Sequence, residues 1–102
     1  MSAEAGPDEV EILEDDDFNR REGGVAQAVL EYIARQIVDD PDSVVVELDE
    51  GRRRDVRLSL HVSPDDMGKV IGRRGRVAQA IRTVVRAAGA REGVEVSVDI
   101  VD

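Results

Sequence analysis

The sequence predicts an α+β fold in which three helices cover one face of a three-stranded mixed sheet, with an acidic tail in front. Three observations carry this. Apolar residues recur at helical spacing in some stretches and alternate with polar residues in others. These stretches follow in the order helix, strand, strand, helix, helix, strand. Charge is also divided along the chain: the start is strongly acidic, whereas Met67 to Arg91 holds seven basic residues and no acidic one.

The first helix is predicted at about Val25 to Val38, because Ala26, Val29, Leu30, Ile33 and Ile37 share one face; Asp39-Asp40-Pro41-Asp42 ends it. A strand follows from Val44 to Leu48, with Val44, Val46 and Leu48 on one side. A turn around Asp49-Glu50-Gly51 leads to a second strand, Asp55 to Val62, in which Val56, Leu58, Leu60 and Val62 alternate with Arg57, Ser59 and His61. Ser63-Pro64-Asp65-Asp66 reads as a helix start, with Ser63 as cap, Pro64 at the first helical position and Asp66 as the acid of a capping box. That second helix stops at Ile71, before Gly72. A third, from Arg76 to Ala88, places Val77, Ile81, Val84, Val85 and Ala88 on one stripe and Gln79, Arg82 and Arg86 opposite. Val94, Val96, Val98 and Ile100 then alternate in a last strand.

Connections between neighbouring parallel strands are right-handed, and a two-helix crossover is long enough to make one. The strand at 55–62 is therefore expected in the centre, antiparallel to the first and parallel to the last. All three helices fall on one face. The other face, carrying Glu47, Arg57, Ser59, His61, Glu95 and Asp99, is expected to be wet.

The chain has 102 residues, enough for one domain. Residues 1–22 hold nine acids and two arginines, a net of -7, out of -9 for the whole chain. Such a segment buries too little apolar surface to fold alone, so residues 1–23 are read as a disordered acidic tail and 24–102 as the domain. The remaining net charge of -2 leaves the domain free to bind a polyanion; the tail reads either as a competitor for the same arginines or as a merely solubilising extension. The absence of cysteine excludes disulfides and thiolate metal sites and fits a reducing cytoplasm. No apolar run approaches the roughly 20 residues of a membrane-spanning helix, and the first residues do not form a signal peptide.

The basic stretch centres on Gly72-Arg73-Arg74-Gly75, between the second and third helices. Two glycines bracketing two arginines let the backbone approach a ligand closely. Arg76 opens the next helix, whose first N–H groups have no partner within the helix and face the same spot. Phosphates of a polynucleotide are the anions this suits. Arg73 and Arg74 are read as the phosphate partners, with Lys69 and Arg76 adding field, and Val70 and Ile71 as apolar walls for bases. Arg82 and Arg86 read more readily as a solvated helix face, Arg52-Arg53-Arg54 as an exposed loop, and His61 as a surface histidine.

In this setting Val70-Ile71-Gly72-Arg73-Arg74-Gly75 resembles the signature of the KH domain, whose GXXG loop clamps single-stranded nucleic acid. From about Gly24 to the end the chain resembles the KhpA family of small stand-alone bacterial RNA-binding proteins. The resemblance implies the type II order of the KH fold and binding of single-stranded RNA, with single-stranded DNA as the alternative ligand. It also implies an RNA chaperone or post-transcriptional regulator with a bearing on cell shape. Its implied protein partners are a second copy of the chain or a larger RNA-binding protein of the Jag type.

No cofactor is expected, and no enzyme. The phosphate motifs of nucleotide-binding folds are missing, and no carboxylate lies in an apolar setting that would mark a general acid or base. Aromatic residues are limited to Phe18 and Tyr32, which disfavours folds that stack bases on rings. Two other readings stand beside RNA binding: a dimerisation module that keeps the KH fold, and a helix-turn-helix DNA binder, which the flanking strands disfavour.

Overall fold

The computed structural model describes residues 22–102. The expectations for the acidic tail lie outside that range, apart from its last two residues. Helix α1 spans Gly24–Ile37, and a 3-10 turn at Pro41–Ser43 leads into strands β1 (Val45–Glu50) and β2 (Asp55–His61). A second 3-10 turn, Pro64–Asp66, runs into the short helix α2 (Met67–Ile71). Helix α3 (Arg76–Glu92) and strand β3 (Glu95–Ile100) complete the domain.

The sheet order is β1-β2-β3, with β1 antiparallel and β3 parallel to the central β2, as the alternation and the crossover rule required. Leu58 stands between Leu48 and Val98, so all three strands turn the same apolar face toward the helices. Leu30 of α1, Val70 of α2 and Val85 of α3 meet Val56, Leu58 and Leu60 there, all buried. Glu47, Arg57, Glu95 and Asp99 lie exposed on the opposite face, which is wet as expected.

Three local expectations need correction. The first concerns α3, which does not stop at Ala88 but continues to Glu92 and ends at Gly93. Gly89 lies buried inside it because the helix presses on the sheet: a Cβ there would stand 2.3 Å from Cγ2 of Val96. Helix termination and close packing both call for glycine, and spacing along one helix cannot tell them apart.

The second is Val84, placed on the core stripe by periodicity and found 49% exposed. The buried line is Ala78, Ile81, Val85 and Gly89, so the sheet takes a narrower stripe than the apolar residues offer.

The third is Asp66, which makes no capping box. Ser63 forms no side-chain cap bond either. Asp66 is instead 2% exposed, and its carboxylate accepts the backbone N–H groups of Asp39, at 3.2 Å, and Asp40, at 3.0 Å. A buried carboxylate requires such donors. These two tie the start of α2 to the end of α1.

Helix α1 also borrows its N-terminal partner from a distant element. Gly23 offers no side chain, and the N–H of Ala26 donates to Oε1 of Glu92, 66 residues away, at 3.1 Å. Glu92→Ala is expected to destabilise the domain by about 1 kcal/mol, the usual worth of a helix cap. That is a melting-point drop of roughly 4–8 °C for a domain this size. Glu92→Gln keeps an acceptor and should recover about half. Thermal melts of the two variants check this.

Candidate nucleic-acid interface

The loop is built by two interruptions of helical geometry. The N–H of Gly72 still donates to Gly68 O at 2.8 Å, closing α2, but Gly72 itself sits at φ 77°, ψ 174°. Gly75 N–H then donates to Gly72 O at 3.1 Å, so the four residues fold into a single tight turn. A Cβ on Gly72 would stand 2.3 Å from Cγ2 of Val77 and 2.9 Å from its backbone N, so this position admits only glycine. Gly75, at φ 74°, has nothing within 4 Å of where a Cβ would lie. The first glycine lets the loop close on the protein. The second leaves open space on the outside.

Arg73 and Arg74 are exposed between them, and Arg74 takes a left-handed φ of 58°. Arg76 begins α3, whose first turn contains no acidic residue to offset the positive end of the helix dipole. Three guanidinium groups thus gather at the positive end of α3, whose first N–H, that of Arg76, is already taken by Arg73 O.

The other residues assigned to the site divide. Lys69 is exposed, but its Nζ lies 2.6 Å from Oδ2 of Asp39. That hydrogen bond and the charge of Asp39 raise the Lys69 pKa, so the ammonium is held charged and already partnered. Val70 is completely buried in the core and is not a wall for bases; it anchors α2 beneath the loop. Ile71, 38% exposed, is the apolar residue left at the loop's base. One helical step separates the two, and the sequence left open which of them turned outward.

Arg82 is a residue that sequence reasoning placed on a solvated helix face. Glu95 and Val101 donate their N–H groups to carbonyls of Arg54 and Leu60 on the β2 side. The alternate residues Val96, Val98 and Ile100 therefore turn their backbone groups to the open edge of β3. Nε of Arg82 donates to Val98 O on that edge at 3.2 Å, and its Nη1 to Oε1 of Gln79 at 3.2 Å. Arg82 thus bridges α3 to the open edge of β3. No local pattern shows this, because the contact spans 16 residues.

A depression of about 440 Å³ lies at the hairpin end of the sheet, lined by Asp49, Glu50, Asp55, Arg57 and Glu95. Its four carboxylates make the depression itself unsuited to phosphate; Arg52 and Arg53 of the adjoining turn are not among its lining residues. No helix among the described residues is long and apolar enough to cross a membrane.

Three helices on one face of a β1-β2-β3 sheet, in this order and with a glycine-bracketed basic turn between the last two helices, define a KH domain of the type II arrangement. The family model described as "KhpA/KhpB, KH domain" matches residues 27–100. The chain belongs to this family. It is 48% identical over 77 residues to the RNA-binding protein KhpA of Halalkalibacterium halodurans, covering 74% of this chain and 99% of that one. To the RNA-binding protein KhpA of Streptomyces coelicolor it is 51% identical over 76 residues, 74% of this chain and 91% of the relative. Among solved structures, Era in complex with MgGDPNP and nucleotides 1506–1542 of 16S ribosomal RNA superimposes with a TM-score of 0.53 at 17% identity. That match covers 74% of this chain and 28% of Era, and it concerns the fold alone.

Proposed function

We propose that the chain is a non-catalytic binder of single-stranded RNA, acting in the cytoplasm as an RNA chaperone or post-transcriptional regulator. The observation that carries this is the turn Gly72–Gly75: both glycines at positive φ, open space over Gly75, and Arg73 and Arg74 exposed between them. A sugar-phosphate chain passes over Gly75 without meeting a Cβ, and Arg73 and Arg74 pair with its phosphates. Arg76 and the first turn of α3 add field. Lys69 contributes less, since Asp39 already neutralises it. Bases then enter the cleft between Ile71, Arg82 and the edge of β3, which takes about four nucleotides.

Salt dependence tests this. Two to four phosphate contacts give a log-log slope of roughly -1.5 to -3, at about -0.7 per contact for single strands. A slope near zero in titrations of one labelled RNA rejects the basic turn as the binding surface. Comparison with single-stranded DNA and with duplex DNA then ranks the ligands.

A second reading, self-association or pairing with a Jag-type protein, is favoured by Val84. It lies half-exposed on α3, with exposed Ala80 and Ala87 one turn to either side. A partner helix laid on these small residues comes close enough to bury Val84, and a second bound domain raises RNA affinity through effective concentration. Sedimentation of wild type against Val84→Asp decides it. Dimer lost in the variant supports the reading; a monomeric wild type at the highest concentration reached removes self-association.

A further inference from the structure

The turn between β1 and β2 carries arginines in a place that the fold does not ask for them. Asp55 N–H donates to Arg52 O at 2.9 Å, and the two residues between, Arg53 and Arg54, have φ of 54° and 68°. Two successive left-handed residues are what a type I′ hairpin turn requires, and Asn-Gly is the pair that fits it without steric conflict. Arg54 has a structural reason to be there. Its Nε donates to Gly93 O at 2.8 Å, its backbone O accepts from Glu95 N, and its guanidinium lies 3.7 Å from Glu22. These contacts pin the hairpin tip to the beginning of β3. Arg52 and Arg53 are exposed at that tip, and no contact within the described residues accounts for their charge.

The pinning fixes where that charge stands. Strand β3 runs antiparallel to α3, so its beginning lies at the far end of the helix from the GXXG loop. The open edge of β3 joins the two ends, with Arg82 on Val98 O near the loop and exposed Arg86 one helical turn further along. The 17-residue α3 is about 25 Å long at roughly 1.5 Å per residue. A strand leaving the loop along this edge thus passes guanidinium groups at its start, middle and end.

We propose that Arg52 and Arg53 form a second phosphate-binding site, which engages RNA longer than the loop and cleft alone accommodate. This rests on the reading of the loop as an RNA clamp and extends its footprint past the cleft to the opposite end of the domain. Arg54 is explained by its contacts, so of the two left-handed residues only Arg53 speaks for such a site: it holds an arginine where asparagine would sit with less strain.

The test uses the full chain and two labelled RNAs, one of about four nucleotides, the length a single loop engages, and one about three times as long. The variant is Arg52→Ser with Arg53→Asn, leaving Arg54 in place. Asparagine takes the left-handed conformation more readily than arginine, so the variant should melt at or above the wild-type temperature. The expected result is unchanged affinity for the short RNA and about tenfold weaker binding of the long one. The salt slope on the long RNA should flatten by about 1.4, for two lost contacts at roughly 0.7 each. Equal losses on both lengths, or no loss on the long RNA, overturn the second site. Tighter binding by the variant also overturns it, and assigns the turn to the acidic segment that precedes Glu22. Failure of the loop reading is separately visible as unchanged short-RNA binding by Arg73→Asp with Arg74→Asp.

Discussion

Replacing Arg73 and Arg74 together by aspartate is expected to abolish RNA binding while the domain stays folded. Both side chains stand exposed on a turn held closed by backbone hydrogen bonds, Gly72 N–H to Gly68 O and Gly75 N–H to Gly72 O, which the substitution does not touch. Exposed substitutions of this kind usually change stability by less than about 0.5 kcal/mol. At Arg74, where φ is 58°, aspartate is the more comfortable residue, since its short polar side chain tolerates the left-handed region. Binding changes in the opposite sense. Removing one partner of a hydrogen-bonded charge pair that binding buries typically costs about 2–5 kcal/mol, and here each arginine is replaced by a group that repels phosphate. The expected loss is at least about a hundredfold in affinity. Titration of a labelled RNA into the variant, with a thermal melt alongside, checks both halves. Undiminished affinity in a folded variant removes the loop from the interface.

The second large effect falls on stability and separates the two glycines. Gly72→Ala should destabilise the domain by about 2–5 kcal/mol, combining a backbone region that L-residues rarely adopt with overpacking against Val77. The added Cβ would meet Cγ2 of Val77 at 2.3 Å, its Cβ at 2.7 Å and its backbone N at 2.9 Å, so the first turn of α3 has to move. For a domain this size the melting temperature falls by more than about 10 °C. Gly75→Ala meets no atom within 4 Å and bears only the cost of its positive φ, about 1–2 kcal/mol. Its methyl group projects into the open space over the turn, where the proposed clamp holds the sugar-phosphate chain, so it should weaken RNA binding more than it weakens the fold. Melts and titrations of the two variants show the contrast. Equal destabilisation by both would mean that Val77 gives way freely and that the turn is not fixed by close packing.

Periodicity and turn chemistry were enough to place every strand and helix in order. Alternation at Val56, Leu58 and Leu60 and again at Val96 and Val98 is a local signal, and it sets which face of each strand is apolar wherever the strand lies. Chain order and the handedness of crossovers then left one arrangement of the three strands. The turn Gly72–Gly75 was equally legible, because two glycines around two arginines between helical patterns have a local meaning that tertiary context does not alter.

What the tertiary structure decided is which partner each ambiguous residue found. Asp66 carries all the marks of a cap, yet its carboxylate is spent on the backbone of Asp39 and Asp40, from an element 26 residues earlier. Gly89 looked like the end of a helix until Val96 lay against it. Val70 and Ile71 are both apolar and adjacent, and only the direction in which α2 meets the core sends the first inward. Val84 fits the stripe of α3, but the face that packs is the line of Ala78, Ile81, Val85 and Gly89, which leaves it half-exposed. Arg82 is held against β3 because Val98 presents its carbonyl on the open edge. Each is a contact between residues far apart in the chain. Spacing records which faces a segment offers, and the packed fold selects which face is covered and by what.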